Sequence, residues 1–249
     1  MKYKISAVII AAFAAGAASA DMLPEGLSLR VTAGGSAPMA ADVTDRDFAG
    51  GGLISGDAND LTAGKLDHIR ESPLVGIGAD YALFGGLRVG AAVQYRTNFE
   101  LKDHDGHPAN PLFDDPGALS SAKGGISALT YMATAAYDLP VALGPFRPYV
   151  SAGVGGATVK TDTLHVVYYG LGSDLQGQSK SQFAYTIGAG IRCELTSDVA
   201  LELGYQYADL GDITYPAQTF TNAGIPLPSS GMKGKLKTNE GLVTLSVHF

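Results

Sequence analysis

Between Phe183 and Tyr207 the side chains alternate in character, residue by residue, over a span too long for an ordinary soluble strand. Phe183, Tyr185, Ile187, Ala189, Ile191 and Cys193 fall on one face; Ala184, Thr186, Gly188, Gly190, Arg192 and Glu194 fall on the other. After Thr196-Ser197-Asp198, the residues Val199, Leu201, Leu203, Tyr205 and Tyr207 alternate with Ala200, Glu202, Gly204 and Gln206. Period two means β-strand, because successive side chains point to opposite faces. Strands of globular domains usually run about 5–6 residues, whereas a tilted strand needs about 9–11 to cross a bilayer. One face is apolar with aromatics at its far end, and the other is small or polar with a few charges. That is the pattern of a transmembrane barrel hairpin, apolar toward lipid and polar toward the lumen.

The same alternation runs along the whole chain. Residues 1–20 read as a cleaved secretory signal: Lys2 and Lys4, an apolar core from Ile5 to Ala17, and the small residues Ala18-Ser19-Ala20. Residues 21–249 are then one barrel domain. The formal net charge of -7 becomes -9 once the two lysines are removed. That acidity argues against nucleic acid as a partner. Past the signal no stretch approaches about 18 consecutive apolar residues, so insertion must be by strands. Cys193 stands alone, without an internal disulfide partner, and reads as a small hydrophobe.

Eight strands are expected, all-β and antiparallel, in an up-and-down transmembrane barrel. Their outward sets begin at Leu27, Val75, Leu87, Leu129, Pro148, Phe183, Val199 and Val243. The connections alternate long and short. Long ones run over Ser36–Glu71, about Asn98–Gly125, about Val159–Lys180 and Ala208–Asn239; short ones include Phe84-Gly85-Gly86 and Thr196-Ser197-Asp198. This predicts short periplasmic turns and long extracellular loops. Outward aromatics form two expected girdles: Tyr95, Tyr131, Tyr185, Tyr205 and Tyr207 at the outer rim, and Tyr81, Tyr137, Phe146 and Phe249 at the inner rim. None of the long loops shows the alternation of a further hairpin.

Two segments carry a family resemblance: Phe146-Arg147-Pro148-Tyr149-Val150-Ser151-Ala152-Gly153-Val154-Gly155, and Leu201-Glu202-Leu203-Gly204-Tyr205-Gln206-Tyr207-Ala208-Asp209-Leu210-Gly211-Asp212. They resemble the eight-stranded surface-antigen and opacity-type outer-membrane proteins, which share an OmpA-like barrel. The likeness covers mostly the later strands and fades in the loops. It implies a place in the bacterial outer membrane, contact with outer-membrane lipid and lipopolysaccharide, and handling by periplasmic chaperones and the barrel assembly machinery. It also implies that the terminal strand is the assembly signal, with Val243, Leu245, Val247 and the final Phe249 on one face. Family members include adhesins, antigens and envelope-integrity proteins, so the resemblance identifies a location more than a task.

Inward charges are the most informative polar set. Centring one turn on Ser197 pairs Arg192 with Glu202, and centring another on Gly85 pairs Asp80 with Gly90, leaving Arg88 diagonal. Arg30 comes from the first strand at similar depth. Buried charges need partners, so Arg30, Asp80, Arg88, Arg192 and Glu202 are expected to form a lumen charge network in the periplasmic half. Removing Glu202 is expected to leave Arg192 unpaired. The other half of the lumen face reads as Gly, Ala, Ser and Thr, with room for water.

Asp103-His104-Asp105-Gly106-His107, with Asp114 and Asp115, has ligand types suited to divalent metals. A solvated acidic loop accounts for it better, and neither metal nor cofactor is expected. Ser246 and His248 sit two apart on one face as a nucleophile and base would, but they point into the lumen and read as lining. The function expected is therefore non-enzymatic display of surface loops for adhesion to a surface ligand or host factor and for envelope integrity. The alternatives are a narrow pore for ions or small solutes and an enzyme acting on lipopolysaccharide.

Overall fold

The computed structural model describes residues 24–39, 41–42, 44–45, 65–66, 71–101, 121–141, 143–168, 171–216, 218–222, 225–229 and 232–249. Eight long strands form the wall: β1 (Leu27–Pro38), β2 (Ser72–Ala82), β3 (Leu87–Leu101), β4 (Ser121–Asp138), β5 (Phe146–Thr161), β6 (Ser179–Glu194), β7 (Val199–Tyr215) and β8 (Met232–His248). Each pairs antiparallel with the next, and β8 pairs back onto β1. The eight-stranded antiparallel barrel expected from the alternation is thus closed. Within the ring of eight every strand therefore has a hydrogen-bonded neighbour on both sides, and the ring has no edge strand. At the short-turn end the seam is stitched by Gly26 N donating to Phe249 O and Phe249 N donating to Leu27 O, both at 2.9 Å.

Short turns 83–86, 139–145 and 195–198 join β2 to β3, β4 to β5 and β6 to β7. In the first, Gly85 and Gly86 take φ of 63° and 85°, a conformation open to glycine at no steric cost. The signal segment lies outside the described residues, as do most of the first long connection and the Asp103–His107 motif.

The strands are longer than the alternation indicated. β4, β5, β6, β7 and β8 run on past the strands expected, because there the polarity of the two faces is exchanged. Outward positions become Ser127, Lys160, Ser181, Lys233 and Lys235. Inward positions become Ile126, Ala128, Ala157, Val159, Ala208, Leu210 and Leu236, all buried. Two bulges add to this inner apolar cluster. The register slips between Arg96 and Phe99, where Asn98 adopts φ 39°, and between Asp209 and Asp212, where Gly211 adopts φ 86°. A bulge re-aims the side chains beyond it, and here it turns Phe99, Ile213 and Tyr215 inward.

Two further hairpins sit in the long connections, where the sequence showed no alternation: Leu164–Tyr168 with Leu171–Leu175, and Gln218–Asn222 with Ile225–Ser229. The first extends the sheet by pairing with Ser121–Lys123; the second pairs only with itself. Five-residue strands carrying Gly172, Pro226 and Pro228 give too short and broken a pattern to read. Neither hairpin joins the ring of eight.

Candidate functional site: the bore

The bore is filled in tiers, starting at the short-turn end. Arg192 on β6 faces Glu202 on β7, its register partner. Arg192 Nη1 donates to Glu202 Oε1 at 3.1 Å and its Nε to Glu194 Oε1 at 2.8 Å. From the opposite side of the ring, Arg88 on β3 donates Nη1 to the same Glu202 oxygen at 2.7 Å and Nη2 to Asp138 Oδ1 at 2.9 Å. One carboxylate thus holds two guanidinium groups from facing walls. The Arg88 guanidinium lies 5.7 Å from the Tyr149 ring centre, a favourable cation–π placement. Tyr149 in turn occupies space left by two glycines: a Cβ at Gly204 or Gly190 would lie 2.6 or 2.7 Å from its hydroxyl.

Arg30 forms a second group, its Nε 3.0 Å from Asp80 Oδ2 and its Nη2 donating to Thr134 at 3.0 Å. The five charges singled out in the sequence therefore gather as two neighbouring clusters. Asp138, Glu194, His248 and Tyr149 complete them and were not singled out with them. All four have a signal in the sequence. Glu194, His248 and Tyr149 are in inward phase on their strands, and Asp138 lies one residue past an outward tyrosine.

His248 Nδ1 lies 2.6 Å from Ser28 Oγ, while Nε2 contacts Arg192 Nη2 and lies 4.0 Å from Glu194. Serine, histidine and glutamate stand in a row, with the Ser28 hydroxyl buried inside the bore and the Arg192 guanidinium against the imidazole. Arginine can only donate, so the Arg192 contact is a hydrogen bond only in the tautomer that carries the ring proton on Nδ1, toward Ser28. In that tautomer the imidazole donates to the Ser28 hydroxyl rather than accepting from it. Ser246, the partner weighed from sequence, makes no hydrogen bond to His248, and its hydroxyl has no hydrogen-bond partner among the described residues.

The upper half of the bore, read from sequence as small residues with room for water, holds a second ion pair. Arg96 on β3 and Glu240 on β8 meet as a two-pronged fork, Nε to Oε1 at 2.6 Å and Nη2 to Oε2 at 2.9 Å. Both side chains are 0% exposed. Glu240 also accepts from Ser36, Thr238 and Gln206, and Arg96 donates to Thr130 and Gln94. Every prong is used, the condition for a buried pair to be tolerated. Arg96 is in inward phase one residue past outward Tyr95, but its partner Glu240 lies between the Ala208–Asn239 connection and the outward set that begins at Val243, assigned to neither. Extending the phase of Leu242 and Thr244 by one step would have placed Glu240 in the bore. Above this pair the apolar cluster of Phe99, Ile126, Val159, Leu210 and Leu236 roofs the barrel.

Outside, the wall is apolar and aromatic. Tyr81, Tyr137 and Phe146 are exposed near the short-turn end, and Tyr95, Tyr131 and Tyr205 near the other. Tyr207 is half-buried and packs 6.2 Å from Tyr185, ring centre to ring centre. Val243 and Leu245 are exposed on the outer face, with Val247 and Phe249 half-buried below them. No group of three or more His, Cys, Asp or Glu suited to a metal occurs among the described residues.

Comparison with known proteins agrees with this geometry. The family model described as outer membrane protein beta-barrel domain matches residues 6–249. An uncharacterized protein of Brucella abortus (strain 2308) is 34% identical over 143 residues, 53% of this chain and 49% of that protein. Outer membrane protein PagN of Salmonella typhimurium is 28% identical over 141 residues, 56% of this chain and 58% of PagN. The chain thus spans about half the length of the curated relatives it matches. Among solved structures, the outer membrane protein OprG from Pseudomonas aeruginosa superposes with a TM-score of 0.50 at 11% identity, covering 90% of this chain and 97% of OprG. That likeness speaks to the fold alone. An apolar aromatic outer wall around a charged bore makes sense only in lipid, and with the family match over nearly its whole length this chain belongs to the outer membrane protein β-barrel domain family of the bacterial outer membrane.

Proposed function

We propose that this protein is a non-enzymatic, non-conducting scaffold that holds its long connections on the outside of the cell. In this reading residues 1–20 are removed on export, residues 21–249 form the barrel, and the assembly machinery reads the strand ending at Phe249. The observation that carries the proposal is the filled bore. An eight-stranded barrel is just wide enough for side chains to fill, and here two ion-pair tiers and an apolar roof occupy it. With no room for transport inside, variation and recognition fall to loops on a rigid frame, facing a surface ligand or host factor. The burial of the Ser28 hydroxyl beside His248, inside the bore, supports the non-enzymatic part of the reading.

The test has two arms. Refolded protein in a planar bilayer is expected to give no steady conductance; a large, stable one would replace the scaffold with the narrow-pore reading. An epitope tag inserted within 46–64 is expected to be reached by antibody on intact cells, and staining only after permeabilisation would reverse the orientation. Deleting individual loops, with adhesion to a ligand-coated surface as readout, then identifies which loop carries the interaction.

A further inference from the structure

Among the described residues arginine and lysine are separated, with Arg147 exposed at the short-turn end. Arg30, Arg88, Arg96 and Arg192 lie in the bore. Lys123, Lys160, Lys180, Lys233, Lys235 and Lys237 all lie at the long-loop end. Three of these, Lys233, Lys235 and Lys237, occupy alternate positions of β8 and so project from one outer face. They stand roughly 7 Å apart, twice the rise of a strand residue. The next outward residue toward the membrane, Asn239, accepts a hydrogen bond from Tyr205 at 2.7 Å, at the level of the outer girdle. Beyond it comes Gly241, where an added Cβ would meet nothing within 4 Å, and its register partner Gly35 on β1 is equally open. Gly241 floors a shallow apolar trough walled by Ala189, Ile191, Leu203, Tyr205 and Val243.

Carboxylates offset part of this charge. Asp212 Oδ2 lies 3.2 Å from Lys233 and 3.6 Å from Lys180, and Asp209 Oδ2 lies 4.0 Å from Lys237. Among the described side chains four lysines stand against two aspartates, a net positive charge, and Lys235 has no ion-pair partner among the described residues.

We propose that this face of β8 is a docking site for a phosphorylated glycolipid of the outer leaflet, the lipid A part of lipopolysaccharide. Lysines just above a membrane surface attract anionic headgroups. A row of three spans more than one phosphate, which favours a headgroup carrying two over a phospholipid carrying one. The trough beneath continues the row downward and seats one acyl chain where the wall is thinnest. The proposal rests on the long-loop end facing outward, as in the function proposed above.

Binding is best measured in symmetric phosphatidylcholine vesicles, so that the result depends on neither orientation nor the closed bore. The probe is fluorescent diphosphorylated lipid A, compared with its monophosphorylated form and with phosphatidylglycerol. Wild type should bind the diphosphorylated form most tightly. Changing Lys233, Lys235 and Lys237 together to Gln should weaken binding by tenfold or more, from roughly fivefold per lysine near a membrane surface. Lys235→Glu alone should weaken it severalfold and provides a second reading if the triple variant folds poorly. Gly241→Leu, which fills the trough and leaves the lysines intact, should weaken binding as well. Lys123→Gln with Lys160→Gln, elsewhere on the same rim, should leave it unchanged. Equal affinity for phosphatidylglycerol, or an equal loss in the Lys123/Lys160 control, would mean diffuse charge rather than a site and would overturn the proposal. So would an unchanged triple variant.

Discussion

Below the outer girdle this barrel points its apolar side chains outward and its charges inward; above it, the same strands do the reverse. On β8, Val243 and Leu245 are outward and Thr244 and Ser246 inward, but ten residues earlier Lys233 and Lys235 are outward and Leu236 inward. Backbone pairing continues across the change, interrupted on β7 and β8 only by the bulge between Asp209 and Asp212. What differs is the medium. Hydrocarbon outside rewards an apolar wall and forces polar groups to satisfy one another within. Water outside restores the ordinary arrangement of apolar interior and solvated surface. The fold is one closed sheet solving the burial problem twice, with opposite signs.

The two ion-pair tiers within the bore differ in a second way, which governs how each fails. The lower tier is redundant: Arg88 and Arg192 share Glu202, yet each also has its own carboxylate, Asp138 and Glu194. The upper tier is not, because Arg96 has Glu240 as its only ion-pair partner among the described residues, and both are fully buried.

The largest effect should therefore come from the upper tier. Glu240→Ala leaves a buried guanidinium without its counter-charge and should cost about 3–5 kcal/mol, read from denaturant-driven unfolding in lipid vesicles. A loss below that of Glu202→Ala would contradict the single-partner account.

Next comes the contrast between media. Leu203→Arg sets a charge on the lipid side near mid-wall and should cost about 2–4 kcal/mol. Thr158→Arg, outward but above the girdle, should cost close to nothing. Equal costs would mean that the boundary between the two regions is misplaced.

Glu202→Ala should be intermediate, about 1–3 kcal/mol, because each arginine loses one charged hydrogen bond and keeps another. This revises the expectation from sequence that Arg192 would be left unpaired, since Glu194 sits 2.8 Å away. With the upper pair and the roof intact, the variant should also remain closed in a planar bilayer.

The smallest contrast concerns the two glycines beneath Tyr149. At Gly204 an added Cβ meets chiefly the Tyr149 hydroxyl, which a small ring shift relieves. At Gly190 it also meets the Leu203 carbonyl oxygen at 2.3 Å, which is fixed by the sheet. Gly190→Ala should thus lower stability more than Gly204→Ala, and the reverse order would show that the ring, not the backbone, is the rigid partner.

These comparisons also explain what could be read from the sequence. The membrane tier was legible because parity assigns inward and outward side chains there, and it sets Arg30, Asp80, Arg88, Arg192 and Glu202 in the phase whose side chains meet in the bore. The upper tier was opaque because an alternation of lysine with leucine or glycine does not match the lipid-facing pattern, and bulges at Asn98 and Gly211 then shift the phase. Partners across the bore were hidden for another reason. Turn-centring gives register between neighbouring strands, whereas Arg88–Glu202 and Arg96–Glu240 join strands that never pair.

The exchange of faces at the girdle also fixes how deeply the molecule floats. Were the barrel to sink by one pair of residues, Lys237 would be drawn toward hydrocarbon while the lower rim emerged into water. Were it to rise, Leu203 and Val243 would move toward the aqueous side and the lower rim would be pulled into lipid. A charged side chain costs little near the interface but up to about 2–4 kcal/mol at mid-depth, so the penalty steepens with every step in either direction. Polarity written along each strand thus works as a waterline, and loops carried above it are held at one height over the surface.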